Sequence, residues 1–448
     1  MIINFLLHDF EQFSDLSAII WKEKEYSYSW LLERIKYWEN KFADQKLKCG
    51  AIVVLEGDFT PESIACFLSL TANNCIIVPQ IYSNRNNIEE KYDIAEVQFI
   101  VTIDEFEAVT ITKRNSNPNH ELNKEIIKRG TPGLILFSSG TSGKPKGAVH
   151  DFAKLLEKFK TKRKSLKILN FLLFDHWGGL NTMLHTLSNG GLVITVQDRS
   201  PEGICRMIQE YKIEVLPASP TLLNLLLISG AYKKFDLSSL KIISYGTEPM
   251  PESTLNALNK LFPEVKLLQT YGLIEVGVMR SKSKNNNSLW VKIGGEGYKT
   301  RIVNDLLEIK ADSAMLGYLN APSPFTDDGW FMTGDAVEQD GEYIKILGRK
   351  SELINVGGEK VYPAEVESVI QELEFITDVE VYGEKNPLSG NIVCAKVIVN
   401  DPSNFNNFKE NIRSHCRSKL ERFKIPIKIK LVDQNLHSFR FKKMRAPK

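Results

Sequence analysis

At 448 residues with 43% hydrophobic side chains, the chain carries enough material for two or three domains with substantial cores. Its 57 Lys and Arg nearly balance 55 Asp and Glu, a net charge of +2 that excludes the uniformly basic surface of a nucleic-acid or membrane-surface binder. No apolar run approaches the roughly 18 residues that span a bilayer, no basic leader precedes His8, Asp9 and Glu11, and the six cysteines lack CxxC or zinc-ligand spacing, so a cytoplasmic protein with reduced thiols is expected, without membrane insertion or a nucleic-acid partner.

In chain order, "AIVVLEG" (51–57), "PESIACFLSLTANN" (61–74) and "CIIVPQ" (75–80) read as strand, helix and strand, the texture of parallel β units. The alternation returns at "LVITV" (192–196), "CRMIQEY" (205–211) and "IEVLPAS" (213–219). It recurs at "LKIISYG" (240–246), "TLNALNKLF" (254–262) and "VKLLQTYG" (265–272). Strands that end in glycine or proline before helices are where open α/β sheets place their ligands. From about 289 to 347 the pattern changes to short strands and turns, with "TDDGW" (326–330) and "EQDGEY" (338–343) as Asp-Gly turn signals. A compact α+β segment follows, with a helix at "PAEVESVIQEL" (363–373) and a strand at "NIVCAKVIV" (391–399). The expected class is α/β, with an N-terminal domain over 1–349 and a smaller α+β C-terminal domain over 350–448. "KSKNNN" (282–287) reads as a short exposed loop.

The stretch "FSSGTSGKPKGAVH" (137–150) follows the apolar "LILF" (134–137) and concentrates phosphate-binding chemistry. Glycine frees backbone N–H groups at Gly140 and Gly143, hydroxyls stand at Ser138, Ser139, Thr141 and Ser142, and Lys144 and Lys146 are cationic. A Walker loop needs Ser or Thr after Gly-Lys, and Pro145 stands there; a dinucleotide GxGxxG is absent as well.

This segment resembles the phosphate-binding signature of the adenylate-forming superfamily, which contains acyl- and aryl-CoA synthetases, peptide-synthetase adenylation domains and luciferases. Further stretches resemble the superfamily's other motifs in their usual order. "YGTEP" (245–249) resembles the adenine-pocket segment, and "TYGLIEVG" (270–277) the motif whose tyrosine stacks on adenine and whose glutamate helps hold magnesium. "DGWFMTGD" (328–335) resembles the ribose-binding motif, and "LGRKSELINVGGEKVYPAEVE" (347–367) the hinge and the start of a mobile C-terminal domain.

The resemblance implies ATP-dependent conversion of a carboxylic acid to an acyl-adenylate with release of pyrophosphate, then transfer to the thiol of CoA or a carrier-protein phosphopantetheine with release of AMP. By the same resemblance, Ser138, Ser139, Gly140, Thr141, Ser142, Gly143 and Lys146 hold phosphate. Gly246, Thr247, Glu248, Thr270, Tyr271 and Gly272 line the adenine side, Asp335 and Arg349 take the ribose, and Glu275 with Thr141 holds Mg2+. Lys443 in "FRFKKMRAPK" matches the catalytic lysine, with Lys442 as the alternative register. Lys350 matches the hinge, and Gly357 and Gly358 a tunnel for the pantetheine arm.

The acid pocket is implied in "LLFDHWGGLNTMLHTLSNGG" (172–191) together with Gly272. Phe174-Asp175 resembles amino-acid-activating members, whereas His176 before Gly179-Leu180 resembles the CoA synthetases; Trp177 either closes an aromatic pocket or fills the core. An acyl acid is favoured. The alternatives are a stand-alone amino-acid adenylation enzyme loading a carrier protein in trans, an enzyme passing its adenylate to another nucleophile, and a non-catalytic nucleotide-binding relative.

Overall fold

The computed structural model describes residues 2–82, 87–139, 144–400, 407–433, 436–438 and 443. Two seven-stranded sheets and a six-stranded antiparallel sheet build the large N-terminal domain, and a five-stranded sheet builds the C-terminal one. The mixed α/β architecture therefore agrees with the sequence.

In the first sheet Ile52–Gly57 pairs in parallel with Ile76–Ile81 and Phe99–Ile103, and Ile76–Ile81 with Gly133–Ser139. The helix between the first two strands, Pro61–Ala72, is buried on every side, which explains its nearly continuous apolar sequence. The second sheet runs in parallel through Lys167–Asn170, Leu192–Thr195, Val215–Ala218, Ile242–Tyr245 and Lys266–Gln269.

Three helices of these layers share one start signal. Thr60-Pro61, Ser200-Pro201 and Ser219-Pro220 each place a hydroxyl that accepts from an early backbone N–H, followed by proline at the first turn. The result is a set of helices launched from the carboxyl ends of strands at fixed points.

The third sheet covers the region of short strands, from Arg280–Ser283 through Tyr343–Arg349. Asp340 and Tyr343 are paired, so the turn is Gly341-Glu342 and the aspartate belongs to the strand. Lys282 and Ser283 likewise lie in a strand paired with Trp290–Gly294, which shortens the expected 282–287 loop. Phe331–Asp340 and Tyr343–Arg349 pair so that Asp335 stands opposite Arg349.

Residues from Ile354 onward form a core of their own, in which Val366 and Ile370 of helix Pro363–Ile370 pack against Val379, Val381, Val393 and Val397 of the long hairpin Ile376–Asn386 and Gly390–Val399. Polar contacts join the two domains: Glu252 N donates to Ser368 Oγ at 3.0 Å, Lys443 N to Glu248 Oε2 at 3.2 Å, and Lys360 lies 3.6 Å from Asp305.

Candidate active site

Two antiparallel strands flank the glycine-rich run. Gly133–Ser139 and Pro145–Asp151 are antiparallel, with Ser138 opposite Lys146 and Ser139 opposite Pro145. Gly140, Thr141, Ser142 and Gly143 lie outside the described residues, as does the Ser139 side chain. The return strand is pinned by Asn320, whose Oδ1 accepts from Gly147 N at 3.1 Å and whose Nδ2 donates to Pro145 O at 2.8 Å.

From that strand Lys146 extends over the Tyr318 ring, 5.6 Å from its centroid, and the Tyr318 hydroxyl donates to Glu275 Oε1 at 2.6 Å. Burial and the Glu275 carboxylate push the Tyr318 phenol well up, so it remains a donor. Tyr318 belongs to none of the sequence motifs, and it links the strand Pro145–Asp151 to the glutamate expected to hold magnesium.

Glu275 and Tyr271 come from one short turn-rich segment after the strand Lys266–Gln269. The Tyr271 hydroxyl donates to Asp335 Oδ2 at 2.5 Å, and Arg349 Nε stands 3.3 Å from Asp335 Oδ1. Asp335 is buried, whereas Arg349 is half exposed. Burial pushes the Asp335 carboxyl up, with a small addition from Glu275, against the opposing pull of Arg349 and the Tyr271 hydroxyl. Residues expected in three separate motifs thus meet in one hydrogen-bonded cluster.

The adenine-side segment begins where Ile242–Tyr245 ends. Thr270 donates twice to Tyr245 O, from its backbone at 2.7 Å and its hydroxyl at 3.0 Å. A Cβ on Gly246 would sit 2.6 Å from Thr270 O and Oγ1, so glycine is what permits this approach. Thr247 takes φ 76°, a left-handed backbone that a β-branched residue seldom adopts. Glu248 Oε1 accepts from Thr221 N at 3.0 Å and Thr221 Oγ1 at 2.5 Å.

Lys443 also reaches this edge through its backbone, but its side chain turns into the C-terminal domain. Nζ donates to Val379 O at 2.8 Å and lies 3.5 Å from Glu367 and 3.7 Å from Asp378. None of these partners belongs to the Asp335 cluster. Thr221, Asn224, Glu248, Glu367, Asp378 and Lys443 line one crevice between the domains. Lys442 lies outside the described residues.

Of the expected acid-pocket residues, Asp175 and His176 precede the helix Trp177–Leu187, which Trp177 opens. His176 is its N-cap, with ring Nδ1 accepting from Gly178 N at 3.0 Å. Asp175 is buried, and Trp177 is a core residue in edge-to-face contact with Phe152, which favours the core-filling reading of Trp177. Gly179 is fixed sterically, because a Cβ there would meet Leu173 O at 2.2 Å. Gly272 pairs with Val278.

Lys350 opens a short 3-10 turn directly after the strand Tyr343–Arg349. Gly357 and Gly358, at φ 63° and 96°, make the two-residue tip between Ile354–Val356 and Glu359–Val361, with Gly358 N donating to Asn355 Oδ1 at 2.9 Å. Among the described residues, chain neighbours aside, no atom lies within 4 Å of a Cβ built on either glycine.

The family model for AMP-binding enzymes matches residues 47–311, and the AMP-binding enzyme C-terminal domain matches 365–440. The chain belongs to the AMP-binding enzyme family. This AMP-binding enzyme is 29% identical over 331 residues to an indoleacetate–CoA ligase of Aromatoleum aromaticum, covering 68% of this chain and 64% of that protein. It is 30% identical over 335 residues to acyl-CoA synthetase 7 of Caenorhabditis elegans, covering 67% and 62%. The matched region thus spans less than two thirds of the length of these relatives. The fold matches the anthranilate CoA ligase AuaEII in complex with anthranoyl-AMP with a TM-score of 0.83 at 17% identity, over 99% of this chain and 95% of that one. It matches ATP-bound MatB from Rhodopseudomonas palustris with a TM-score of 0.80 at 20% identity, over 98% and 97%. Among the described residues, no helix is long and apolar enough to cross a membrane.

Proposed function

We propose that this AMP-binding enzyme activates a carboxylic acid with ATP, releasing pyrophosphate, and passes the acyl group from the resulting adenylate to a thiol, releasing AMP. The observation that carries the reading is the convergence of Tyr271, Asp335 and Arg349 in one buried-to-exposed cluster, with Lys146, Tyr318 and Glu275 running beside it. An ionised carboxylate can accept from two vicinal ribose hydroxyls, and Asp335 is already oriented by Tyr271 and Arg349. The strand Pro145–Asp151 then lies on the Glu275 side of the nucleotide.

A carboxylate is a poor acylating agent until its oxygen is attached to AMP. Two anions must approach for that step, so positioning and cationic stabilisation dominate. Lys146 supplies positive charge from that strand, and Lys443 is the proposed partner of the reacting carboxylate and α-phosphate. Glu275 offers the hard oxygen donor that Mg2+ prefers, and with Thr141 it is the proposed holder of that ion, whose chemistry is to offset phosphate charge.

Lys443 is held here by Glu367, Asp378 and Val379 O. Its use at the phosphate therefore requires movement of the C-terminal domain, and we assign the boundary to 349/350 with the hinge at Lys350. The same motion is proposed to bring the Gly357-Gly358 tip to the adenylate, where it leaves room for a pantetheine arm. The names of the relatives support CoA as the acceptor; a carrier protein in trans presents the same arm. Buried Asp175 keeps an amino acid as the alternative to an acyl acid.

Hydroxamate trapping across a panel of carboxylic acids, followed by mass detection of products with CoA and with a carrier protein, tests the reading. Acid-dependent adenylate and a thioester are expected.

A further inference from the structure

Residues 315–320, "MLGYLN", run antiparallel to the strand Pro145–Asp151 and are bonded along it. Leu316 N donates to Val149 O at 2.8 Å and Leu319 N to Gly147 O at 2.9 Å, with Gly317 opposite Val149 and Tyr318 opposite Ala148. In this register Tyr318 lies diagonally across from Lys146, so the ammonium reaches its ring. Past Leu319 the Asn320 side chain continues the ladder. Its bonds to Pro145 O and from Gly147 N fall on the two peptide groups that flank Lys146.

The same six residues hold Glu275. Met315 N donates to Glu275 O at 2.7 Å, and the Tyr318 hydroxyl to Glu275 Oε1 at 2.6 Å. One short run therefore fixes the backbone from which Lys146 extends and both the backbone and the carboxylate of Glu275. Neither chain segment is close to the other in sequence, so their relative placement depends on this tie.

We propose that Tyr318 and Asn320 are positioning residues for the phosphate end of the nucleotide, acting through Lys146 and Glu275, whose charged groups they hold in fixed relation. Displacing charged groups by about 1 Å at a reacting centre can cost on the order of 100-fold in rate. The inference rests on the nucleotide roles given to Lys146 and Glu275 above.

The test titrates the full chain calorimetrically with ATP and, separately, with AMP in Mg2+ buffer, for the wild type, Tyr318→Phe and Asn320→Ala. Tyr318→Phe keeps the ring beside Lys146 and removes the hydroxyl; Asn320 is exposed, so its variant removes two hydrogen bonds without opening a cavity. Each variant should weaken ATP by about tenfold and AMP by less than about twofold, because AMP lacks the β- and γ-phosphates. In a double-mutant cycle of Tyr318→Phe with Glu275→Gln, the double variant should bind ATP about as the weaker single variant does, since the hydroxyl acts through the carboxylate. Parallel weakening of ATP and AMP would overturn the proposal in favour of a merely structural role. Unchanged ATP affinity in both variants, or additive losses in the cycle, would overturn it as well. If the variants lose ATP selectively but no carboxylic acid yields an adenylate, the positioning role stands and the acid-activating function falls; a wild type that binds neither nucleotide overturns both.

Discussion

His150, one residue before the end of the strand Pro145–Asp151, has a fully buried ring whose nitrogens make no well-formed hydrogen bond among the described residues. Burial brings its pKa down to about 4, with the Ile274 and Ser313 backbones pulling weakly the other way. The unfolded chain takes up this proton near pH 6.5 and the native state only near pH 4, so stability is kept above 6.5 and lost as pH falls between the two. At pH 5.5 the loss from this residue is on the order of 1 kcal/mol. His150→Leu should flatten that acid limb in urea unfolding while changing little at pH 7.5; an unchanged limb would contradict the assignment. At Asp335 the expectation concerns binding. Tyr271→Phe removes a hydroxyl from a buried carboxylate and should cost about 1.5–3 kcal/mol of stability, read by thermal unfolding, with a raised KM for ATP.

The two strands Ile242–Tyr245 and Lys266–Gln269 deliver their loops side by side, and the contact closes only because position 246 lacks a side chain. Gly246→Ala should separate the loops at a cost of about 1–3 kcal/mol and weaken AMP binding measured by calorimetry. Much at this scale was legible locally. The apolar runs marked buried parallel strands, whereas the Ser/Thr-Pro pairs at three helix starts emerged only with the structure. The antiparallel pairing of Gly133–Ser139 with Pro145–Asp151 was not legible, because strand pairing is decided by the partner strands. Tyr318 was missed for a related reason: its partner Glu275 lies 43 residues away in sequence and the pair carries no local signature. Lys443 was singled out by its motif, and its engagement with Glu367 and Asp378 depends on how the C-terminal core packs.

Across the whole molecule, the C-terminal core is separate from the cores of the N-terminal domain, and among the described residues polar contacts join the two, the kind of interface that permits relative movement. If Lys350 is the hinge between two working arrangements, Lys350→Pro should slow one half-reaction far more than the other in single-turnover assays, whereas equal slowing would point to a general folding defect. The central claim is that one chain performs both half-reactions, and acid-dependent pyrophosphate release followed by CoA-dependent AMP release from the same enzyme tests it most directly. The account predicts pyrophosphate release with at least one acid, and AMP with an acyl thioester only after thiol is added. Intact ATP binding with no acid-dependent pyrophosphate from any acid would contradict it.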